Sequence, residues 1–231
     1  DANTGFGASS NAFDTQVGTV AGRTIDGAVF LQDSADDLII GSTQASSEVV
    51  AADSSITVNA VAPLSGIVTG GADASIVVTQ TTGSINSIAP VSAAGSGNIL
   101  LDAAGALALN ADVSSGSGNI TLIGTSGVSL ASSVTAQTAG TGTIDVSSLE
   151  GGLTMATDSS ITALDGDVVV ETSADVRVAG ITTNADVSLT STAGSILDNQ
   201  ADRINVSASS LRFDANTGFG ASSNAFDTQV G

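Results

Sequence analysis

Short apolar–x–apolar pairs recur along the whole chain and set its rhythm. We divide the chain into steps, each of which runs from the first residue of one such pair to that of the next. The nine steps begin at Val29, Val49, Ile76, Ile99, Ile120, Ile144, Val168, Val187 and Leu211. The last step runs from Leu211 to the Val29 that the longer repeat described below places in the next copy. Counted in this way, the nine steps average about 24 residues. An apolar pair that returns at this interval indicates a stack of similar coils.

Each step contains further pairs with a period of two. After Asn119, for example, the pair Ile120/Leu122 is followed by Val128/Leu130 and then by Val134/Ala136. Alternation with a period of two is typical of short strands with one buried face, and the intervening Gly, Ser, Asn, Asp and Thr favour turns. The pattern therefore predicts an all-β fold, a parallel β-helix with three short strands in each rung. Equivalent strands would pair between rungs at about 4.8 Å.

A longer repeat divides the chain. Residues 1–18 and 214–231 are identical letter for letter, so that Asp214 begins a second copy of the segment that starts at Asp1. We therefore interpret residues 1–213 as one solenoid period of about nine rungs, and residues 214–231 as the start of the next identical period. Successive periods are either covalent tandem copies or stacked subunits; the identical segments favour the covalent arrangement.

Several rungs resemble bacterial exoproteins of the filamentous-haemagglutinin type and the giant tandem-repeat adhesins related to them. The resemblance is carried by GNITLIGTSGVSLAS (118–132), DVVVETSADVRVAG (167–180), VSLTSTAGSILDN (187–199) and LRFDANTGFGASSNAFDTQVG (211–231). It implies a right-handed parallel β-helical shaft, secreted and located at the bacterial cell surface. It carries over no functional residues, because the shaft repeats of that family share no catalytic set.

The amino-acid composition mainly excludes classes of function and structure. Hydrophobic residues make up 42% of the chain but aromatic residues only 3%, which suits a narrow core of stacked aliphatic layers. The net charge of −19, with only four basic residues, argues against binding to nucleic acid. Without Cys there are no disulfides, and no apolar run is long enough for a membrane-spanning helix, so we expect no membrane insertion.

We expect the protein not to be an enzyme. Some parallel β-helices cleave polysaccharides, but such sites combine carboxylates with basic residues or His and with aromatic sugar platforms. This chain has no His, Trp or Tyr and few basic residues.

The candidate metal ligands are two carboxylate pairs, Asp36 with Asp37 and Asp165 with Asp167. Carboxylates and turn carbonyls are the ligands that Ca²⁺ prefers, so each pair is a weak calcium candidate. The alternative is that these are solvated turn residues. We expect no other cofactor.

Two further features favour structural roles. The phenylalanines all fall near the longest step and predict one enlarged rung with a loop, packed by a local aromatic cluster, with a ligand platform as the alternative; they are Phe6, Phe13, Phe30 and Phe213, with the copies Phe219 and Phe226. Asn98 and Asn119 each follow Ser-Gly, and this repeated context predicts an Asn ladder at one corner of the coil.

These observations predict a structural tandem repeat of a long extracellular fibre or adhesin stalk, a filament that grows rung on rung. Its expected partner is the adjacent identical repeat, joined end to end. The alternative is an adhesive module that binds a receptor, a glycan or a neighbouring cell through its lateral face or its Phe-containing loop.

Overall fold

The computed structural model describes residues 2–200 and 203–231, and these residues wind into a parallel β-solenoid of nine coils. Each coil contributes one strand in turn to sheet I, sheet II and sheet III, and each sheet has nine strands. No helix occurs within the described residues. The predicted all-β parallel β-helix with three short strands per rung is therefore confirmed, while its right-handedness stays a prediction.

The strands are short in all three sheets and longest in sheet I. Sheet I contains Phe13–Thr15, Val29–Asp33, Ile76–Gln80, Ile99–Ala103, Ile120–Gly124, Ile144–Ser148, Val168–Thr172, Asp186–Ser191 and Ser210–Ala215. Sheet II contains Thr19–Val20, Leu38–Ile40, Ile85–Ser87, Ala106–Leu109, Gly127–Leu130, Leu153–Met155, Val176–Val178, Ser195–Asp198 and Gly218–Phe219. Sheet III contains Gly22–Thr24, Ile67–Thr69, Val91–Ala93, Val113–Ser115, Thr135–Thr138, Ser160–Ala163, Ile181–Thr182, Val206–Ala208 and Thr228–Val230.

The core is a set of aliphatic columns that run along the solenoid axis. In sheet I, buried and half-buried residues alternate along the strands, as in Ile99–Ala103 and Ile120–Gly124. The register places Ile99 against Ile120 and Leu101 against Leu122, and both pairs point inward. Because every coil repeats this arrangement, each aliphatic layer is covered by the layers above and below it.

The segment around Val49 departs from the sequence prediction. Ser46–Val50 pairs antiparallel with Ile56–Ala60, in a hairpin that projects from the second coil between sheets II and III. Ser42–Thr43 and Leu64–Ser65 pair at its base. The prediction that Val49 begins a coil was therefore wrong, since the two apparent steps are one long coil that runs from Leu31 to its register partner Val78.

The nine coils are completed instead by the segment that follows residue 12. Coil 1 (residues 13–24) lies on coil 2 (residues 29–69), with Phe13 opposite Leu31. Coil 9 (residues 210–230) closes the other end, with Phe213 opposite Leu189. Each terminal coil thus uses one copy of the repeated 18-residue segment.

The corner between sheets III and I is built from a column of glycines. Gly97, Gly118, Gly142 and Gly166 occupy equivalent places in successive coils. A Cβ added to Gly142 would lie 2.3 Å from the carbonyl oxygen of Gly118, and one added to Gly118 would lie 2.3 Å from that of Gly97. Coils can stack this closely at the corner only because these positions lack a side chain.

Candidate functional surfaces

Two of the four predicted calcium ligands belong to polar ladders that join neighbouring coils. Asp37 Oδ1 accepts a hydrogen bond of 2.8 Å from the backbone N–H of Ser84. Asp167 Oδ1 accepts one of 3.1 Å from the backbone N–H of Asp186. Each carboxylate therefore satisfies a backbone N–H at the corner where a strand of the next coil begins.

All four candidates are exposed, and the other two are Asp36 and Asp165. Asp165 Oδ1 accepts a hydrogen bond of 3.0 Å from the side-chain amide of Asn184, and Asp36 precedes Asp37 on the same turn. Among the described residues, no group of three or more Asp, Glu, His or Cys side chains is arranged to hold a metal ion. Calcium binding at either pair stays a prediction.

The predicted Asn ladder is present at the corner between sheets III and I. Asn98 Oδ1 accepts a hydrogen bond of 2.8 Å from the backbone N–H of Asn119. Asn119 Oδ1 in turn accepts one of 3.0 Å from the N–H of Thr143. Asp167 holds the equivalent place two coils beyond Asn119, immediately before a strand of sheet I, and its carboxylate makes the same kind of bond to the coil that follows.

A buried carboxylate holds the first three coils together. Asp33 is fully buried. It accepts hydrogen bonds from two residues of coil 1, Thr15 through Oγ1 at 2.6 Å and Val17 through its N–H at 3.0 Å. It also accepts bonds from the Ala35 N–H at 3.0 Å and from Gln80 Nε2 at 3.1 Å in coil 3. Burial alone would raise the pKa of Asp33, but the hydrogen bonds outweigh it and hold this pKa below its usual value. Sequence reasoning missed this network, because Asp33 lies in an otherwise ordinary strand.

The two copies of the Phe-containing loop have the same local structure. The rings of Phe6 and Phe13 lie 4.3 Å apart and those of Phe219 and Phe226 lie 4.7 Å apart, with similar tilts. Between each pair the chain makes a small turn, closed by Ala8 with Asn11 in one copy and by their equivalents in the other. The expected local aromatic packing is therefore present.

Coil 1 fills the core poorly. A cavity of about 180 Å³ lies in its interior, lined by Phe6, Val20 and Gly22 and by the inward residues Val29, Leu31 and Ile67 of coil 2. Coil 1 and the segment before it shield the aliphatic face of coil 2 from solvent, since Val29, Leu31 and Ile67 are buried, but the small side chains of coil 1 leave this space unfilled.

The hairpin of residues 46–60 carries an exposed apolar face. Val50, Ile56 and Val58 share one side of it and are 67%, 61% and 65% exposed, and Glu48 lies on the same side opposite Val58. Its strands pair only with each other, so both outer edges have unpaired backbone groups. Sequence reasoning missed the hairpin, although Asp53-Ser54-Ser55 between two β-forming runs is a turn signal, and Ser54 has the positive φ of such a turn.

The outward face of sheet I carries half-buried acidic side chains. Burial raises the pKa of Asp145, and the negative charge of Glu171 on the next coil adds to the increase. Burial also raises the pKa of Asp102 on the same face. Neighbouring side chains on this surface thus partly shield the carboxylates from water.

The part of the chain that the structure describes contains no helix of the length and apolar character needed to cross a membrane.

These features define a parallel β-solenoid with stacked polar corners, two open ends and one protruding apolar hairpin. Comparison with protein-family models, with curated proteins and with solved structures finds no match to the chain.

Proposed function

We propose that the chain is a structural repeat of a long extracellular fibre or adhesin stalk, in which identical periods stack end to end. The observation that carries the proposal is the unbroken stacking of nine coils in three parallel sheets. Each sheet runs without interruption from coil 1 to coil 9. Among the described residues, the strands of coil 9 pair only with coil 8, whereas at coil 1 the outer edge of Gly22–Thr24 is bridged by Ala2. The 18-residue identity between residues 1–18 and 214–231 supplies the next copy that the outer edge of coil 9 requires.

A filament of this kind is stiff because strands of all three sheets pair between coils along its whole length. The length of the filament is set by the number of periods. Shafts of filamentous-haemagglutinin type, secreted to the bacterial cell surface, are built in this way, and the rung sequences 118–132 and 167–180 support that assignment. The proposed role is non-catalytic, and its main partner is the adjacent identical repeat.

Electron microscopy of chains with one, two and three periods tests the proposal. We expect unbranched rods that lengthen by about 40 Å for each added period, because the coils are spaced at about 4.8 Å. Beads on a string, or rods that fold back side by side, would contradict it.

The exposed hairpin favours a second candidate function, an adhesive module on the side of the fibre. Apolar patches and free strand edges that project from a surface commonly bind other proteins. The test compares Val50→Ser/Val58→Ser with the control Ser129→Ala/Thr154→Ala on sheet II, using beads coated with each protein on a glycan array and a cell monolayer. Adhesion that only the hairpin variant loses would support this role, and equal adhesion of all three proteins would exclude it.

Calcium dependence is tested by thermal unfolding with chelator and with about 1 mM Ca²⁺, the range in which extracellular sites bind. We expect the same Tm in both, because Asp37 and Asp167 already accept corner hydrogen bonds. A higher Tm with Ca²⁺ that Asp165→Asn/Asp167→Asn removes, and Asp14→Asn does not, would show a calcium site.

A further inference from the structure

One sequence occupies two different positions on this solenoid. In the first copy, Phe13–Thr15 is a strand of sheet I and pairs with coil 2. In the second copy, the equivalent of Thr15 is Thr228, which begins a strand of sheet III and pairs with coil 8. The equivalents Phe6 and Phe219 differ as well, since Phe6 bridges to Val29 of sheet I whereas Phe219 is in sheet II.

The turn between the two phenylalanines of the segment is the same in both positions. The two phenylalanine pairs and the small turn between them are retained, and Gly7 and Gly220 have φ values of +72° and +69°. The segment therefore behaves as a preformed unit that attaches to the coils in two ways. The partner coil differs, and so does the backbone just before the turn, since Gly5 has a φ of +126° whereas its copy Gly218 lies in the strand Gly218–Phe219.

In a continuous array the segment occurs once at each junction and must choose one position. If it took the first position there, Phe226 would have to enter sheet I directly after Phe213. Among register partners in sheet I, Phe13 and Leu31 are the nearest to each other in the sequence. Phe213 and Phe226 are separated by still fewer residues. Too little chain would remain for a coil between them, and coil 9 would have to be dissolved.

The second position meets no such obstacle. The next strand of sheet I would be the copy of Val29–Asp33, and the chain from Phe213 to the central leucine of that copy is longer than the stretch from Leu189 to Phe213. Coil 9 then remains complete, and the residues equivalent to 18–28 form a corner loop. The array holds eight coils in each period, because coil 9 of one period replaces coil 1 of the next.

Packing also favours this replacement. Coil 1 pairs through strands of three, two and three residues and leaves the cavity over Val29, Leu31 and Ile67. Coil 9 pairs through strands of six, two and three residues. It also carries Leu211 and Phe213 at the inward positions of sheet I, where the cavity of coil 1 lies.

We infer that the face of coil 2 now covered by coil 1 is the docking surface for coil 9 of the preceding identical period. Coil 1 is the cap of a free end, formed by Phe13–Thr15 of the repeated segment and by the strands Thr19–Val20 and Gly22–Thr24 that follow it, when no preceding period is present. Asp33 secures this cap through Thr15 and Val17. The inference rests on the proposed fibre function and specifies which surfaces meet at each junction.

The test uses a two-period chain, residues 1–213 followed by the full 231 residues, and cysteine pairs, since the chain has no cysteine of its own. The cap pair joins Asp14→Cys to Gln32→Cys, and the stack pair joins Ser207→Cys to Gln229→Cys; both are register partners in the single chain. A short bifunctional thiol reagent should cross-link both pairs in the single chain, which is the control. At the internal junction we expect the stack pair to cross-link and the equivalent cap pair to lose its cross-link.

Hydrogen exchange provides a second measurement on the chain without cysteines. The peptide spanning residues 19–26 occurs twice in the two-period protein with identical mass. We expect two populations, one protected in the terminal cap and one unprotected in the junction loop. A single protected population would mean that both copies form caps, and it would overturn the inference.

Rod length separates this inference from the proposed function. A cap cross-link at the junction of one continuous rod would overturn the docking inference and leave the fibre intact. A cap cross-link between two separate rods would overturn both. A stack cross-link within a rod lengthened by eight coils, about 38 Å, would support both.

Discussion

At the residue scale, the most unusual side chain is Asp33, a buried carboxylate that accepts hydrogen bonds from four uncharged donors. A buried charge is costly unless hydrogen bonds replace its hydration. Donors from three successive coils do so here. This makes Asp33 a point at which acid acts on the amino-terminal end of the described solenoid.

Asp33→Asn should destabilise the protein by about 2 kcal/mol at neutral pH, because hydrogen bonds to a charged acceptor contribute about 1.5–3 kcal/mol. The folded pKa of Asp33 is lowered, so its contribution is present above the unfolded value of about 3.9 and is lost as the pH falls through the folded pKa. Urea unfolding at several pH values measures this. The exposed Asp14→Asn is the control, and an equal loss of stability in both variants would contradict the role of Asp33.

Asp145→Asn should act in the opposite direction. Burial and then Glu171 raise the folded pKa of Asp145, so its favourable contribution exists below the unfolded pKa and is lost as the pH rises through the folded pKa. The variant should therefore be more stable than the wild type at pH 7 by up to about 0.5 kcal/mol, and equally stable below about pH 3.9. The exposed Asp26→Asn controls for the general loss of negative charge. A stability gain that persists in acid would show another cause.

At the element scale, the corners rather than the strands determine how closely the coils can stack. The aliphatic columns tolerate exchange among Val, Ile and Leu, as the varied inward residues of sheet I show. The glycine column has no such freedom, because each added Cβ would meet a backbone carbonyl of the coil below.

Gly142→Ala should cost about 1–3 kcal/mol, the usual penalty of overpacking a close contact. The added Cβ would lie 2.3 Å from the carbonyl oxygen of Gly118, and neither backbone can move without disturbing the ladder. Gly22→Ala is the matched control, because nothing lies within 4 Å of its added Cβ. Thermal unfolding of the two variants measures the difference, and similar Tm values would show that the corner can relax.

Much of this element-level structure could be predicted from the sequence. Period-two apolar pairs and Gly-Ser-Asn corners predict strands and turns because each coil repeats the same local chemistry. The repeated Ser-Gly-Asn context likewise predicted the ladder of Asn98 and Asn119. Val49 was assigned wrongly because a hairpin strand and a coil strand have the same alternation, and only the pairing partner distinguishes them. The two positions of the 18-residue segment could not be predicted for the same reason, since they differ only in long-range pairing.

At the scale of the whole molecule, the negative charge opposes the side-by-side association that the apolar hairpin favours. One period, residues 1–213, carries a net charge of −17, because the second copy adds Asp214 and Asp227 to the chain total of −19. Over eight coils this is about one negative charge per 2.3 Å of axis, close to the value of about one per 1.7 Å in double-stranded DNA. In the proposed fibre, neighbouring filaments would therefore repel each other strongly when little salt is present.

Lateral association of tandem arrays should consequently depend on salt. Raising NaCl from about 0.01 M to about 1 M shortens the Debye length from about 30 Å to about 3 Å, which removes the repulsion and leaves the exposed faces of Val50 and Val58 free to pair. We expect separate filaments at low salt and bundles at high salt, measured by light scattering and electron microscopy. Val50→Asp should abolish bundling at high salt, whereas Gln137→Asp, which adds the same charge to exposed sheet III, should not. Bundles that form equally at low salt, or that survive Val50→Asp, would show that the filaments meet through another surface, because neither screening nor the hairpin would then control the contact.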